Sequence, residues 1–183
     1  MRLVGISGSL RKGSYSSVIL NMLIEKTKPQ AVIETLDIGS LPHYNSDLEL
    51  DVLLTSVLDA RSLVTLSDGI IVVSPEFNHG IPGVLKNALD WLSRPAFDSC
   101  LLHKPVFFIT QSMGELGGVR AQSQLRETFA STLCHLLPIR EVALANIGKK
   151  IVEGKVIDED TEAYLMRTFE RVLSEINLLK HNQ

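Results

Sequence analysis

The residues with the most chemistry to offer lie in two short polar stretches, each directly after an apolar run. The first is Gly8-Ser9-Leu10-Arg11-Lys12-Gly13-Ser14-Tyr15-Ser16. Hydroxyls, glycines and two adjacent cations here follow an apolar segment and open a second one that reads as a helix. That order of parts holds an anion, because backbone N–H groups at a helix start point at it and cations neutralise it. Arg11 can grip a phosphate in bidentate fashion, with Lys12 a solvated neighbour. The second stretch is Ser74-Pro75-Glu76-Phe77-Asn78-His79-Gly80. Pro75 fixes the exit from a strand and Gly80 permits a tight turn. The ring of Phe77 or of Pro75 offers a flat wall, and the N–H groups of Glu76 to Asn78 can reach the polar edge of a flat ligand.

Spacing narrows the ligand. A dinucleotide fingerprint needs G-x-G-x-x-G, and Gly5-Ile6-Ser7-Gly8-Ser9 does not supply it. Gly8 and Gly13 have the separation of a Walker loop, but Ser14 stands where its lysine must be, so nucleoside triphosphate hydrolysis is not expected. One terminal phosphate suits what remains. An ordinary turn between strand and helix would also favour Ser and Gly for capping, so the first stretch alone does not decide. A serine hydrolase needs G-x-S-x-G, and the nearest match, Thr110-Gln111-Ser112-Met113-Gly114, lacks the first glycine. The histidines at 43, 79, 103, 135 and 181 are scattered and form no metal-ligand pattern.

The elements that must position these loops follow from hydrophobic periodicity. Strands are expected over 2–6, 31–38, 69–73, 105–110 and 139–145, with helices over 16–28, 52–66, 81–92, 119–136 and 158–179. Ser14 or Ser16 caps the first helix and Pro29 ends it. A long polar loop over 39–51 carries His43-Tyr44-Asn45, which either borders the site or is a plain surface loop. Alternation of strand and helix predicts a parallel sheet with helices on both faces, in one domain over 1–183. In the shorter five-stranded order, 2-1-3-4-5, a ligand sits beyond the carboxyl ends of strands one and three. Those ends are the two polar stretches.

Composition closes off other classes. Eighteen Lys and Arg against 21 Asp and Glu give a net charge of −3, which argues against a nucleic-acid partner. No apolar run is long enough to span a bilayer, and the start of the chain is unlike a signal peptide, so no membrane partner and a cytoplasmic location are expected. Cys100 and Cys134 form no C-x-x-C pair and read as buried or inert thiols.

Three motifs together resemble the NAD(P)H-dependent FMN reductases, including the bacterial quinone and chromate reductases of flavodoxin-like fold. They are Gly8-Ser9-Leu10-Arg11-Lys12-Gly13-Ser14, the run from Ser74 to Trp91, and Gly117-Gly118-x-Arg120. The resemblance implies a flavodoxin-like α/β three-layer sandwich and FMN as cofactor. It places Ser9, Arg11, Ser14 and Ser16 at the phosphate, and Pro75, Glu76, Phe77 and Asn78 along the isoalloxazine. It sets Ser112, Met113 and Gly114 beside the ring. Many relatives carry Asn at the position of Ser16 and Tyr at that of Phe77; the wall survives the second change, but a hydroxyl is lost. NADPH or NADH is implied as electron donor, a small molecule such as a quinone or free flavin as acceptor, and a homodimer or homotetramer as the assembly. No acid–base residue is assigned. The rival of the same fold is a flavodoxin-type electron carrier, which uses a Thr-rich phosphate loop without cations. A reductase that releases its flavin to a partner is a second alternative.

Overall fold

The computed structural model describes residues 1–49 and 54–181. Its strands are β1 (Arg2–Ser7), β2 (Val32–Thr35), β3 (Gly69–Pro75) and β4 (Pro105–Gln111), followed by the short pieces β5 (His135–Leu136) and β6 (Val142–Leu144). The helices between them are α1 (Tyr15–Thr27), α2 (Thr55–Thr65), α3 (Gly83–Leu92) and α4 (Val119–Ser131). Beyond β6 come the single turn α5 (Ile147–Lys150), a hairpin of β7 (Ile151–Val152) and β8 (Lys155–Val156), and the long α6 (Glu159–His181). The sheet order is β2-β1-β3-β4-β5, with β6 also on β4, and all of these pairs are parallel. This is the expected flavodoxin-like order.

The layers follow from side-chain alternation along buried strands. Val4, Ile6, Ile70, Val72 and Phe108 face one way and pack against α2, α3 and α4, around the fully buried Trp91 and Phe129. Leu3, Ile71, Val73, Phe107 and Ile109 face the other way, onto α1 and α6 with Phe169 at the centre. Both sheet faces are thus covered, and β3 is buried along its whole length.

Several boundaries differ from the sequence reading. The second strand is shorter than 31–38; Asp37 accepts the Gly39 N–H at 3.0 Å and turns Ile38–Ser40 into a 3₁₀ turn. Residues 50–53, where the polar loop was expected to end and the second helix to begin, lie outside the described residues. The helix expected over 119–136 ends at Ser131. There Leu133 takes a left-handed φ of 58°. Cys134 N–H donates to Phe129 at 3.0 Å and Leu133 N–H to Ala130 at 3.1 Å, the two bonds of a Schellman stop. Leucine in place of the usual glycine hid that stop. The fifth strand is split into β5 and β6, which pair with opposite ends of β4, with Pro138 between them. The hairpin β7–β8 was not anticipated; its turn residues Glu153 and Gly154 both have positive φ.

Candidate functional site

The first loop is built at the end of β1. Gly8 N–H donates to the Val73 carbonyl at 2.8 Å, and a Cβ at Gly8 would lie 2.7 Å from Ser74 Oγ, so the loop leaves the sheet pressed against β3. Gly13 turns it with a φ of +65°. Four N–H groups at a helix start lack intrahelical acceptors. In α1 the N–H of Ser14 goes to the Arg11 carbonyl at 3.0 Å, and that of Ser17 to Ser14 Oγ at 3.1 Å. Among the described residues the other two, on Tyr15 and Ser16, have no protein acceptor. Hydroxyls of Ser14, Ser17 and Ser7 run in series at 2.8 and 2.9 Å and tie the helix start to the strand end. Arg11 lies over the Tyr15 ring, 5.4 Å from its centroid, and no described carboxylate pairs with it.

The second loop is a closed turn. Phe77 and Gly80 exchange N–H···O bonds at 2.9 and 3.0 Å, and the residues between them, Asn78 and His79, have φ of 48° and 67°. Two successive left-handed residues without glycine cost about 1 kcal/mol each, which further contacts around the turn help to offset. The helix α4 supplies them. Glu76 Oε2 accepts N–H groups of Arg120 at 2.9 Å and Ala121 at 3.2 Å, and Gln124 Oε1 accepts that of Ile81 at 2.7 Å. Because the Phe77 N–H is spent on Gly80, the donors expected for a ring edge reduce to those of Glu76 and Asn78. The Phe77 ring stands 54% exposed.

The third loop follows β4. Ser112 N–H donates to Leu144 and Ile147 N–H to Ser112, while Gly114 accepts from Asn146 N–H at 2.9 Å and from Ser112 Oγ at 3.2 Å. Gly117 (φ +62°) lies so close to β6 that a Cβ would stand 2.6 Å from the Ala143 carbonyl carbon. The exposed Met113 meets Gly148 of α5, with Tyr15 Oη nearby.

These loops enclose one cleft of about 290 Å³ at the carboxyl ends of β1, β3 and β4. Of the residues expected at the site, Ser9, Arg11 and Ser14 line it from the first loop, Pro75, Glu76 and Phe77 from the second, and Ser112 and Met113 from the third. Ser16, Asn78 and Gly114 do not line it. Ser16 is fully buried, its hydroxyl accepting from Gln111 Nε2 at 3.2 Å, although its N–H belongs to the open helix start. Tyr15 and Gln111 line the cleft and were not singled out in the sequence. Tyr15 could have been found as the first residue after the cap; Gln111 carries no local signal, since only the sheet brings it to Ser16. The described part of the polar loop, 39–49, meets α3 through Pro42 and Tyr44. Asn87 bonds Tyr44 N–H at 2.7 Å and the Pro42 carbonyl at 2.9 Å, Trp91 Nε1 donates to the same carbonyl, and the Tyr44 ring meets Trp91 edge to face at 5.1 Å. The Tyr44 hydroxyl donates to Glu49, which raises its pKa. Burial pushes the thiols of Cys100 and Cys134 up to about 11, as inert cysteines require.

The chemistry of the donor set fits FMN. Ser9, Arg11, Ser14 and Tyr15 line the cleft at a helix start with unspent N–H groups, which suits a phosphate. The exposed ring of Phe77 lines the same cleft. Pockets for small molecules begin at about 300 Å³, the size seen here.

Comparison with known proteins agrees. The family model described as NADPH-dependent FMN reductase matches residues 1–149. An NAD(P)H-dependent FMN reductase of Pseudomonas aeruginosa is 35% identical over 160 residues, covering 87% of this chain and 86% of its own. A quinone reductase of Escherichia coli K12 is 33% identical over 169 residues, covering 90% and 89%. Among solved structures, FerB of Paracoccus denitrificans, a flavoenzyme NAD(P)H:(acceptor) oxidoreductase, superposes with a TM-score of 0.88 at 29% identity, over 96% of this chain and 97% of that one. The chain belongs to the NADPH-dependent FMN reductase family and is a flavodoxin-like oxidoreductase that works with FMN and NAD(P)H.

Proposed function

We propose that the cleft holds FMN with its phosphate on the first loop and its ring along the second, and that electrons pass from NAD(P)H to a quinone or another small oxidant. The observation that carries this reading is that one cleft is lined both by Arg11 and Tyr15 at the start of α1 and by the exposed ring of Phe77. Arg11 and Ser9 complete the phosphate end, where the guanidinium neutralises charge that the partial charge of the helix start leaves unbalanced. Pro75 and Phe77 give the ring a flat, water-excluding wall, and the N–H groups of Glu76 and Asn78 orient its polar edge. Ser112, Met113 and Gly114 border the ring from the third loop. FMN held there would supply the redox chemistry that links a nicotinamide donor to the acceptor. The chain's part is to hold that group and leave a face open for donor and acceptor in turn. Cations at the phosphate end and the resemblance to NAD(P)H-oxidising relatives favour an enzyme over a passive electron carrier. A single domain, a homodimer or homotetramer, and a cytoplasmic setting complete the proposal.

The test is anaerobic mixing of the FMN-loaded protein with NADPH or NADH. The yellow flavin absorbance should bleach within the mixing experiment and return when a benzoquinone is added. Bleaching by dithionite but by neither nicotinamide would assign the protein to the electron carriers. Failure of the purified protein to bind FMN at all would remove the reading.

A further inference from the structure

Glu76 was expected to lie along the flavin, yet its carboxylate is committed elsewhere. The helix α4 starts from Gly118, which has no side chain to cap it. Glu76 supplies that cap from another loop, accepting from the second and third helical N–H groups, and Arg120 Nη1 lies 3.7 Å from its other oxygen. The carboxylate is only 12% exposed. Four residues after Arg120, and so on the same helix face, Gln124 reaches back to the Ile81 N–H. A Cβ at Gly80 would come within 2.5 Å of Gln124 Oε1, so the two segments fit without spare room. The segment from Glu76 to Ile81 is therefore fastened at both ends to one helix. Between the fastenings lies the left-handed pair Asn78–His79.

We propose that Glu76 is a positioning residue: with Gln124 it forms a two-point clamp through which α4 sets the shape of the ring-contacting turn. The proposal rests on reading the cleft as the flavin site. Two consecutive left-handed residues store strain even when they are Asn and His, so the grip of α4 on both ends adds to the Phe77–Gly80 bonds in keeping the turn in its form. The carboxylate suits the task chemically. It is an anion at the positive end of a helix and beside a guanidinium, and it accepts two N–H bonds at once. Its action reaches the ring through the backbone of Phe77 and Asn78, without contact with the phosphate end.

The experiment measures FMN and riboflavin binding to the apoprotein by quenching of flavin fluorescence, together with the visible circular dichroism of the bound flavin. Glu76→Ala should weaken both ligands by the same factor, roughly tenfold, leaving their ratio unchanged and altering the dichroism. Glu76→Gln, which keeps an acceptor oxygen, should recover most of that loss. Gln124→Ala should weaken both ligands too, and the double variant should lose less than the product of the single losses, because one released end already frees the turn. If Glu76→Ala does not fold, the Gln variants at 76 and the Gln124→Ala protein carry the same comparison. Riboflavin affinity within about twofold of the parent in Glu76→Ala and Gln124→Ala would overturn the clamp, as would a loss confined to FMN. A parent protein that binds neither flavin overturns the reading of the cleft itself, a result distinct from a parent that binds and variants that bind equally well.

Discussion

The two loops facing each other across the cleft are held in different ways. The first is held by its own neighbours: Ser14 caps α1, Gly13 turns the chain, and the series Ser14–Ser17–Ser7 fastens the helix start to β1 within a dozen residues. Its ligand-facing groups are what such local construction leaves over. The second is held by a helix more than forty residues away, through Glu76 and Gln124, and its most polar side chain is spent on that attachment. A charged residue in a candidate site is therefore no guide to its role until its partners are known. Arg11 has no described carboxylate partner and is available to a ligand, whereas Glu76 is engaged.

This contrast can be broken at graded points. The largest effect is expected from Gly117→Ala. Its left-handed φ and a Cβ 2.6 Å from the Ala143 carbonyl would shift the start of α4 and cost about 3 kcal/mol or more, read as a fall in Tm. The attachment of the second loop should suffer with it, so riboflavin binding should fall as well; an unchanged Tm would mean that the third loop does not brace α4. Next, Arg11→Ala should weaken FMN by roughly tenfold to a hundredfold while leaving riboflavin nearly untouched. Equal losses for the two ligands would show that the first loop does not hold a phosphate. The smallest effect lies away from both loops. Cys100 and Cys134 have thiol pKa values raised to about 11 by burial, against an ordinary 9.0. Between those values the unfolded chain gives up its protons first, so stability is full below pH 9 and falls as pH rises towards 11, by about 1 kcal/mol per thiol at pH 10. Denaturant titrations at pH 8 and pH 10, on the parent and on a Cys100→Ser/Cys134→Ser protein, check it; an equal fall in both proteins would place the titration in other groups.

Much of the fold was legible because buried parallel strands write continuous apolar runs and α3 writes a clean helical period. The order of the sheet followed from alternation and from two polar strand ends. What was lost were features that the usual sequence signals do not mark. The stop of α4 uses Leu133 where the pattern expects glycine, and the fifth strand breaks around Pro138 because β4 can be paired in two pieces. The first loop was read nearly whole, down to Ser14 as the cap, since capping depends on residues three apart. The second was expected to offer the N–H groups of Glu76 to Asn78, but that of Phe77 is consumed by a turn whose two left-handed residues, Asn78 and His79, show only in the backbone.

By itself the sequence determined the strand–helix alternation, the place of the Ser- and Gly-rich loop before α1 and the family to which the chain belongs. These depend on periodicity, capping and motifs, all short-range properties of the chain. Only the tertiary structure decided which polar groups remain for a ligand. The Ser16 hydroxyl is taken by Gln111 across the sheet, Glu76 by a distant helix start, and Pro42 and Tyr44 by Asn87 and Trp91 of α3. A donor or acceptor is free only if nothing brought near by folding has claimed it, and that is settled by contacts between residues far apart in the chain.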